Sequence, residues 1–169
     1  MTETIWVSIG SNIEPDKHIR AAIHDLRHQF GTVTPSPVYQ TPASGFAGED
    51  FYNLVAGFDT DLPLTELQRR LRQIEADNGR VRTAEKFSAR TLDIDVMLYG
   101  DQISDNHGKP VPSPEILEYA FVLKPLADII PQQKYPQQQV SYQQLWASYA
   151  GDKASLRPIP FCFDDKNSV

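Results

Sequence analysis

Arg90-Thr91-Leu92-Asp93-Ile94-Asp95-Val96-Met97-Leu98-Tyr99-Gly100 is the stretch from which the rest of the chain can be read. Its apolar residues Leu92, Ile94, Val96 and Leu98 alternate, which predicts a β-strand with all four on one face. The same period places Asp93 and Asp95 side by side on the opposite face. Neighbouring carboxylates repel, and they lose hydration when covered, so the pair requires cations or strong donors nearby. Magnesium meets that demand, because it takes one or two carboxylates together with phosphate oxygens. Arg80, Arg82 and Arg90 stand just upstream. Anion-binding and metal-binding groups thus occur together, a combination that points to phosphoryl chemistry.

Working outward, residues 4–9 read as a short apolar strand closed by Gly10-Ser11-Asn12. Pro15 suits a first helical turn, and Ile19, Ala22, Ile23, Leu26 and Phe30 follow at helical spacing, predicting a helix over 15–30 with Gly31 as its stop. Residues 32–41 look extended, and Pro35 and Pro37 favour an edge strand. A small-residue loop over 42–50 leads to a strand over 51–58. A second helix starts near Pro63, carries Leu64, Leu67, Leu71 and Ile74 on one face, and ends at Asn78-Gly79, where Gly79 is free to turn left-handed. With the aspartate strand the order is βαββαβ, the split βαβ of ferredoxin-like α+β folds. Beyond Gly100 the pattern weakens. Residues 114–130 hold a short helical segment, residues 142–149 a last helix, and 132–139 and 158–169 read as irregular. The expected organisation is one domain over 1–169, with a core of about 4–132 and a C-terminal extension over 133–169.

Composition narrows the function classes. At 169 residues the chain is long enough for one sizeable core. No apolar run approaches the roughly 20 residues of a membrane span, and no signal-peptide pattern opens the chain, so a cytoplasmic protein is expected. The single cysteine, Cys162, makes neither an internal disulfide nor a zinc cluster. A net charge of −6 argues against broad nucleic-acid or anionic-membrane binding. The basic residues are nonetheless local: Arg69, Arg70, Arg72, Arg80, Arg82, Lys86 and Arg90 fall within one short span. The first three read as a solvated helix face, whereas the later arginines sit in the loop that leads to the aspartates.

Each motif also has a plainer reading. Asp-x-Asp reads first as a metal site and second as a solvated edge-strand face; the glycosyltransferase type of this motif requires a nucleotide-sugar fold, for which the chain is short. Arg80 and Arg90 bound a loop that can close over a substrate and bring guanidinium groups onto phosphate charge, or can be an exposed hinge. Phe51 and Asn53 share a strand face, so an aromatic plane and an amide can meet a flat heterocycle, although strand aromatics commonly belong to the core. His18, His24 and His28 fall on or beside the polar face of the first helix and His107 in a loop, and none is read as a ligand or base. Gly10-Ser11-Asn12 is too short for a phosphate loop.

With these pieces in place the chain resembles the 6-hydroxymethyl-7,8-dihydropterin pyrophosphokinase family of the folate pathway. The resemblance spans roughly residues 4–132. It rests on Ile9-Gly10-Ser11-Asn12, Tyr39-Gln40-Thr41-Pro42, Phe51-Tyr52-Asn53, Gly79-Arg80-Val81-Arg82 and the run from Arg90 to Gly100, and continues through Val111-Pro112, Ala120-Phe121-Val122-Leu123 and Pro125-Leu126. It implies a ferredoxin-like fold and transfer of a pyrophosphoryl group from ATP to a pterin hydroxymethyl group, with release of AMP. It further implies that Asp93 and Asp95 hold two magnesium ions bridging the ATP phosphates, that Arg80 and Arg90 assist transfer, and that Arg82 and Glu75 lie near the nucleotide. The pterin is expected between Phe51 and Phe121, its edge read by Asn53 and by the backbone around Thr41, Pro42 and Ser44. Asp95 is the expected proton acceptor. Such transfer needs charge stabilisation and alignment more than covalent participation by the protein.

This chain departs from the family pattern in three places. Phe87-Ser88-Ala89 stands where Trp-Gly-Pro is common, Ser113 where Val-Pro-His-Pro has its histidine, and Tyr119 where an arginine precedes Ala/Gly-Phe. The last two are nucleotide-phosphate contacts in that family. The expected partners are the small molecules ATP and pterin, with no nucleic acid and no membrane, acting on a monomer. The alternative is a diverged homologue that binds a pterin as a regulatory module without transferring phosphate, and a third reading is a protein-interaction domain.

Overall fold

The computed structural model describes residues 2–42, 49–80 and 91–164. Ser44, Arg82, Arg90 and the Phe87-Ser88-Ala89 departure lie outside the described residues. Strands β1 (Glu3–Ser11), β2 (Thr34–Pro35), β3 (Val38–Thr41), β4 (Phe51–Thr60), β5 (Asp93–Tyr99) and β6 (Arg157–Ile159) build one sheet, accompanied by helices α1 (Pro15–Phe30), α2 (Leu64–Asp77), α3 (Glu115–Glu118), α4 (Ala120–Ile129) and α5 (Tyr142–Ala147). The sheet order is β5-β1-β4-β3-β6, with β2 also paired to β4, and the pairings are antiparallel. Taken without β6, this is the ferredoxin-like arrangement expected from the sequence, the extended 32–41 segment being split into β2 and β3.

Both long helices form where the sequence punctuates them. Pro15 opens α1, which buries Ile19, Ala22, Ile23 and Leu26, and α2 buries Leu67, Leu71 and Ile74. Gly31 and Gly79 stop them at φ of 87° and 77°. These helices cover one sheet face and form the main core with Ile5, Val7, Ile9, Leu54, Ala56 and Ile94. On the other face Trp6, Val55, Met97 and Leu98 pack under Val122, Leu123 and Leu126 of α4.

Three expectations are corrected. Leu98 does not share a face with Leu92, Ile94 and Val96. The β1–β5 register slips, Val7 facing Val96 and Trp6 facing Leu98, so Met97 is an extra residue and the bulge turns Leu98 to the second face. Nor is the 32–41 segment wholly an edge. β6, in the tail read as irregular, pairs with β3 through Val38↔Ile159 and Gln40↔Arg157, while Phe161 and Phe163 pack against the main core. The proline break survives as the gap between β2 and β3, where the Ser36 hydroxyl accepts the Val55 N–H at 2.9 Å. Finally, His18 is buried rather than polar-faced, its Nδ1 hydrogen-bonded at 3.0 Å to Asn78 Oδ1 at the end of α2. Among the described residues no helix is long and apolar enough to cross a membrane.

Candidate active site

In the β1–β5 ladder Gly10 faces Asp93 and Ser8 faces Asp95, while Gly10 also faces Asn53 in the β1–β4 ladder. Opposed residues share a face. Asn53, Gly10 and Asp93 therefore form one row across three strands, on the face away from α1 and α2. Gly10 keeps the middle of the row low: a Cβ there would stand 3.0 Å from Asn53 Oδ1. The expected pairing of Asp93 with Asp95 on one strand face is realised, and both side chains are partly open, at 23% and 32%. Burial pushes the Asp95 carboxyl up to about 7; the Asp93 charge adds to the rise, Arg72 opposes it, and Glu75 and Glu115 contribute further.

The strand is held at this position from α2. Glu75, only 1% exposed, accepts the Ile94 N–H at 2.7 Å. Arg72 Nη1 lies 3.1 Å from both Glu75 carboxylate oxygens, and its Nη2 reaches Asp95 Oδ1 at 3.4 Å. This corrects the sequence expectation that Arg72 belongs to a solvated helix face. Arg69 fits that expectation, pairing with Glu66 on the exposed side. Arg80 donates from Nη1 to the Leu92 carbonyl at 2.8 Å and to Asp93 Oδ1 at 3.1 Å, with its side chain 9% exposed. It thus clamps the start of the aspartate strand from the near end of the arginine loop.

Beside Asp95 opens a cleft of about 290 Å³, walled by Gln68, Arg72, Asp95, Lys109, Ser113 and Glu115 among others. Glu75 sits behind this wall rather than in it. Ser113 is buried: its N–H donates to the Met97 carbonyl at 2.8 Å, and its hydroxyl accepts the Glu115 N–H at 3.2 Å. It shapes the turn into α3 and brings no charge to the cleft.

Along the other arm of the row, Asn53 Nδ2 donates to the Thr41 hydroxyl at 3.0 Å. Tyr39 pairs with Asn53 and Thr41 with Phe51 in the β3–β4 ladder, so all four share the aspartate face. Phe51 is half-buried, Pro42 exposed at the end of β3. Phe121 enters in the first turn of α4, half-buried and stacked on Tyr119 with centroids 5.0 Å apart. The Tyr39 hydroxyl donates to Asp128, which also pairs with Lys124 at 2.8 Å, tying α4 to β3. The structure therefore brings Asp93, Asp95, Asn53, Thr41 and Phe51 to one face and sets Phe121 on the helix that covers part of it. Sequence reasoning missed Arg72 and Lys109. The proximity of Arg72 to the start of the Glu75 turn was the available signal.

A comparison with known proteins decides the family. The model of 7,8-dihydro-6-hydroxymethylpterin-pyrophosphokinase (HPPK) matches residues 6–131, from β1 to just past α4. The chain belongs to the HPPK family. It is 38% identical over 140 residues to the 2-amino-4-hydroxy-6-hydroxymethyldihydropteridine pyrophosphokinase of Pseudomonas aeruginosa, covering 80% of this chain and 86% of that one. To the protein of the same name from Bacillus subtilis it is 33% identical, covering 78% and 81%. Among solved structures, the Plasmodium falciparum HPPK-DHPS protein with pteroate superposes with a TM-score of 0.65 at 13% identity, a likeness of fold alone. That match covers 88% of this chain and 42% of the larger protein. The HPPK match takes in every described site residue and stops before β6.

Proposed function

We propose that the protein transfers the pyrophosphoryl group of ATP to 6-hydroxymethyl-7,8-dihydropterin and releases AMP, a step of folate biosynthesis. The observation that carries the reading is the row on one sheet face, with two carboxylates at one end and a buried amide beside an aromatic ring at the other. The hydroxymethyl oxygen bonds to the β-phosphorus, the bond from that phosphorus to the α–β bridging oxygen breaks, and AMP leaves with the bond's electron pair. We assign the hydroxyl proton to Asp95.

The residues suit divalent metal. Asp93 and Asp95 present adjacent, partly open carboxylates on one strand face, and Asp95 is raised by burial first and by the neighbouring Asp93 charge second. Magnesium takes one or two carboxylates together with phosphate oxygens, and Asp93 and Asp95 supply the carboxylate part of that donor set. Magnesium, two ions in this reading, supplies neutralisation of the polyphosphate charge when bound. The chain's own contribution is position. Glu75 fixes the backbone between the two aspartates, Arg80 orients Asp93, and Gln68 and Lys109 wall the nucleotide cleft. Arg82 and Arg90 are assigned to the nucleotide and to transfer. Asn53 and the Thr41–Pro42–Ser44 backbone are assigned to the pterin edge, and Phe51 and Phe121 to its faces.

We further propose that the whole chain works as one monomeric, cytoplasmic domain. A second reading, pterin binding without transfer, is favoured by the uncharged Ser113 and by Tyr119, whose ring is engaged with Phe121. Incubating the protein with ATP, magnesium and the pterin and following AMP tests the main reading. The second predicts no AMP, with pterin but not nucleotide heat in calorimetry.

A further inference from the structure

Arg72 spans two acids of different character. Its Nη1 is fastened at 3.1 Å to both oxygens of Glu75, which is buried and held from the other side by the Ile94 N–H. Its Nη2 rests on Asp95 Oδ1 at a longer 3.4 Å, and Asp95 is the carboxylate that opens to the cleft. The guanidinium thus has a firm end and a loose end. At 29% exposure it is itself part of the cleft wall, and its five N–H donors exceed the three bonds it makes here.

We propose that Arg72 is a displaceable counter-cation, which neutralises Asp95 in the metal-free protein and couples metal binding to nucleotide binding. This rests on the metal role proposed for Asp95. A divalent cation that takes Oδ1 of Asp95 displaces the guanidinium, and one that takes the other carboxylate oxygen sits close to its positive charge; either way binding of the metal alone is opposed. A polyphosphate arriving with the metal reverses the balance. It neutralises the metal and offers oxygens that match the fork of the freed guanidinium. Metal alone is therefore disfavoured, and metal with nucleotide is favoured, by the same side chain. A helix surface arginine without this pairing would couple nothing.

The test is Mn2+ titration of the metal-free protein, followed by the free-Mn2+ paramagnetic signal, with and without an ATP analogue whose α–β bridge cannot be cleaved. Arg72→Gln is expected to bind Mn2+ about tenfold tighter than the parent protein without nucleotide, and the tightening caused by the analogue should shrink by a similar factor. Arg72→Lys, whose single ammonium cannot span both acids, should fall between the two. Unchanged or weaker Mn2+ binding by Arg72→Gln without nucleotide overturns the proposal. If that variant does not fold, unchanged binding by Arg72→Lys overturns it equally. Asp95→Asn separates the metal site from the coupling: Mn2+ binding as tight as in the parent protein would refute the metal site itself, whereas loss of binding locates the metal on Asp95 and leaves the Arg72 comparison to decide the coupling.

Discussion

On the face of the sheet covered by α1 and α2, the inward positions of the central strands are apolar from Ile5 to Val96, whereas the opposite face is apolar only beneath α4 and becomes polar beyond it. There, Asp93, Asp95, Ser8, Gly10, Asn53 and Thr41 replace the leucines and isoleucines of the first face. The first face obeys packing alone, and its residues interlock with two amphipathic helices. The second carries groups whose burial is unfavourable without partners, and its carboxylates and amide are tied in: Asp93 to Arg80, Asp95 to Arg72, Asn53 to Thr41. One sheet thus serves as scaffold on one side and as chemical surface on the other. Substitutions on the two sides should accordingly fail in different ways.

The largest expected effect falls on the polar face. Asp95→Ala should lower turnover by about a thousandfold or more, while the thermal transition of the metal-free protein stays within a few degrees of the parent. Turnover within tenfold of the parent would remove Asp95 from the chemistry. Next comes the apolar face, where Leu71→Ala leaves a cavity between α2 and the sheet. It should cost about 2–5 kcal/mol in denaturant unfolding with kcat of the folded fraction preserved. Leu71 also touches the cleft wall, so a changed nucleotide KM at constant kcat would still respect the contrast, whereas a lost kcat with unchanged stability would break it.

Asn53→Ala should raise the pterin KM by about 10- to 100-fold and leave the ATP KM unchanged, since the amide stands on the arm of the row away from the cleft. Equal changes in both KM values would show that the row is not divided between two substrates. The smallest effect is electrostatic. The Asp95 carboxyl is raised from an ordinary 3.8 to about 7, so the metal-free fold holds this proton more tightly than the unfolded chain does. That stabilisation is fully present below about pH 4 and is lost as pH rises through about 7. Unfolding midpoints should drift downward across that window, and Asp95→Asn should flatten the drift.

The sequence made legible what depends on local order. Pro15 and Gly31 bound α1, and Asn78-Gly79 ends α2 where the structure ends it. The alternation of Asp93 with Ile94 put the carboxylates on one face because a strand's period is fixed by the backbone. What sequence order could not disclose was decided by distant partners. Leu98 changes face because β1 offers one residue where β5 offers two. β3 gains a neighbour from β6, far downstream. Arg72 lies at the margin of the apolar stripe of α2, and only the arrival of Asp95 beside it turns a surface arginine into part of the site. Ser113 looked like a missing charge, and the fold shows it holding the turn before α3.

Joining of a polyphosphate to a pterin hydroxyl on this face is read out in the nucleotide product. With ATP, magnesium and 6-hydroxymethyl-7,8-dihydropterin, quantified by chromatography, one AMP is expected for each pyrophosphorylated pterin formed. Formation of ADP, or no AMP from folded protein at any workable magnesium concentration, would contradict it.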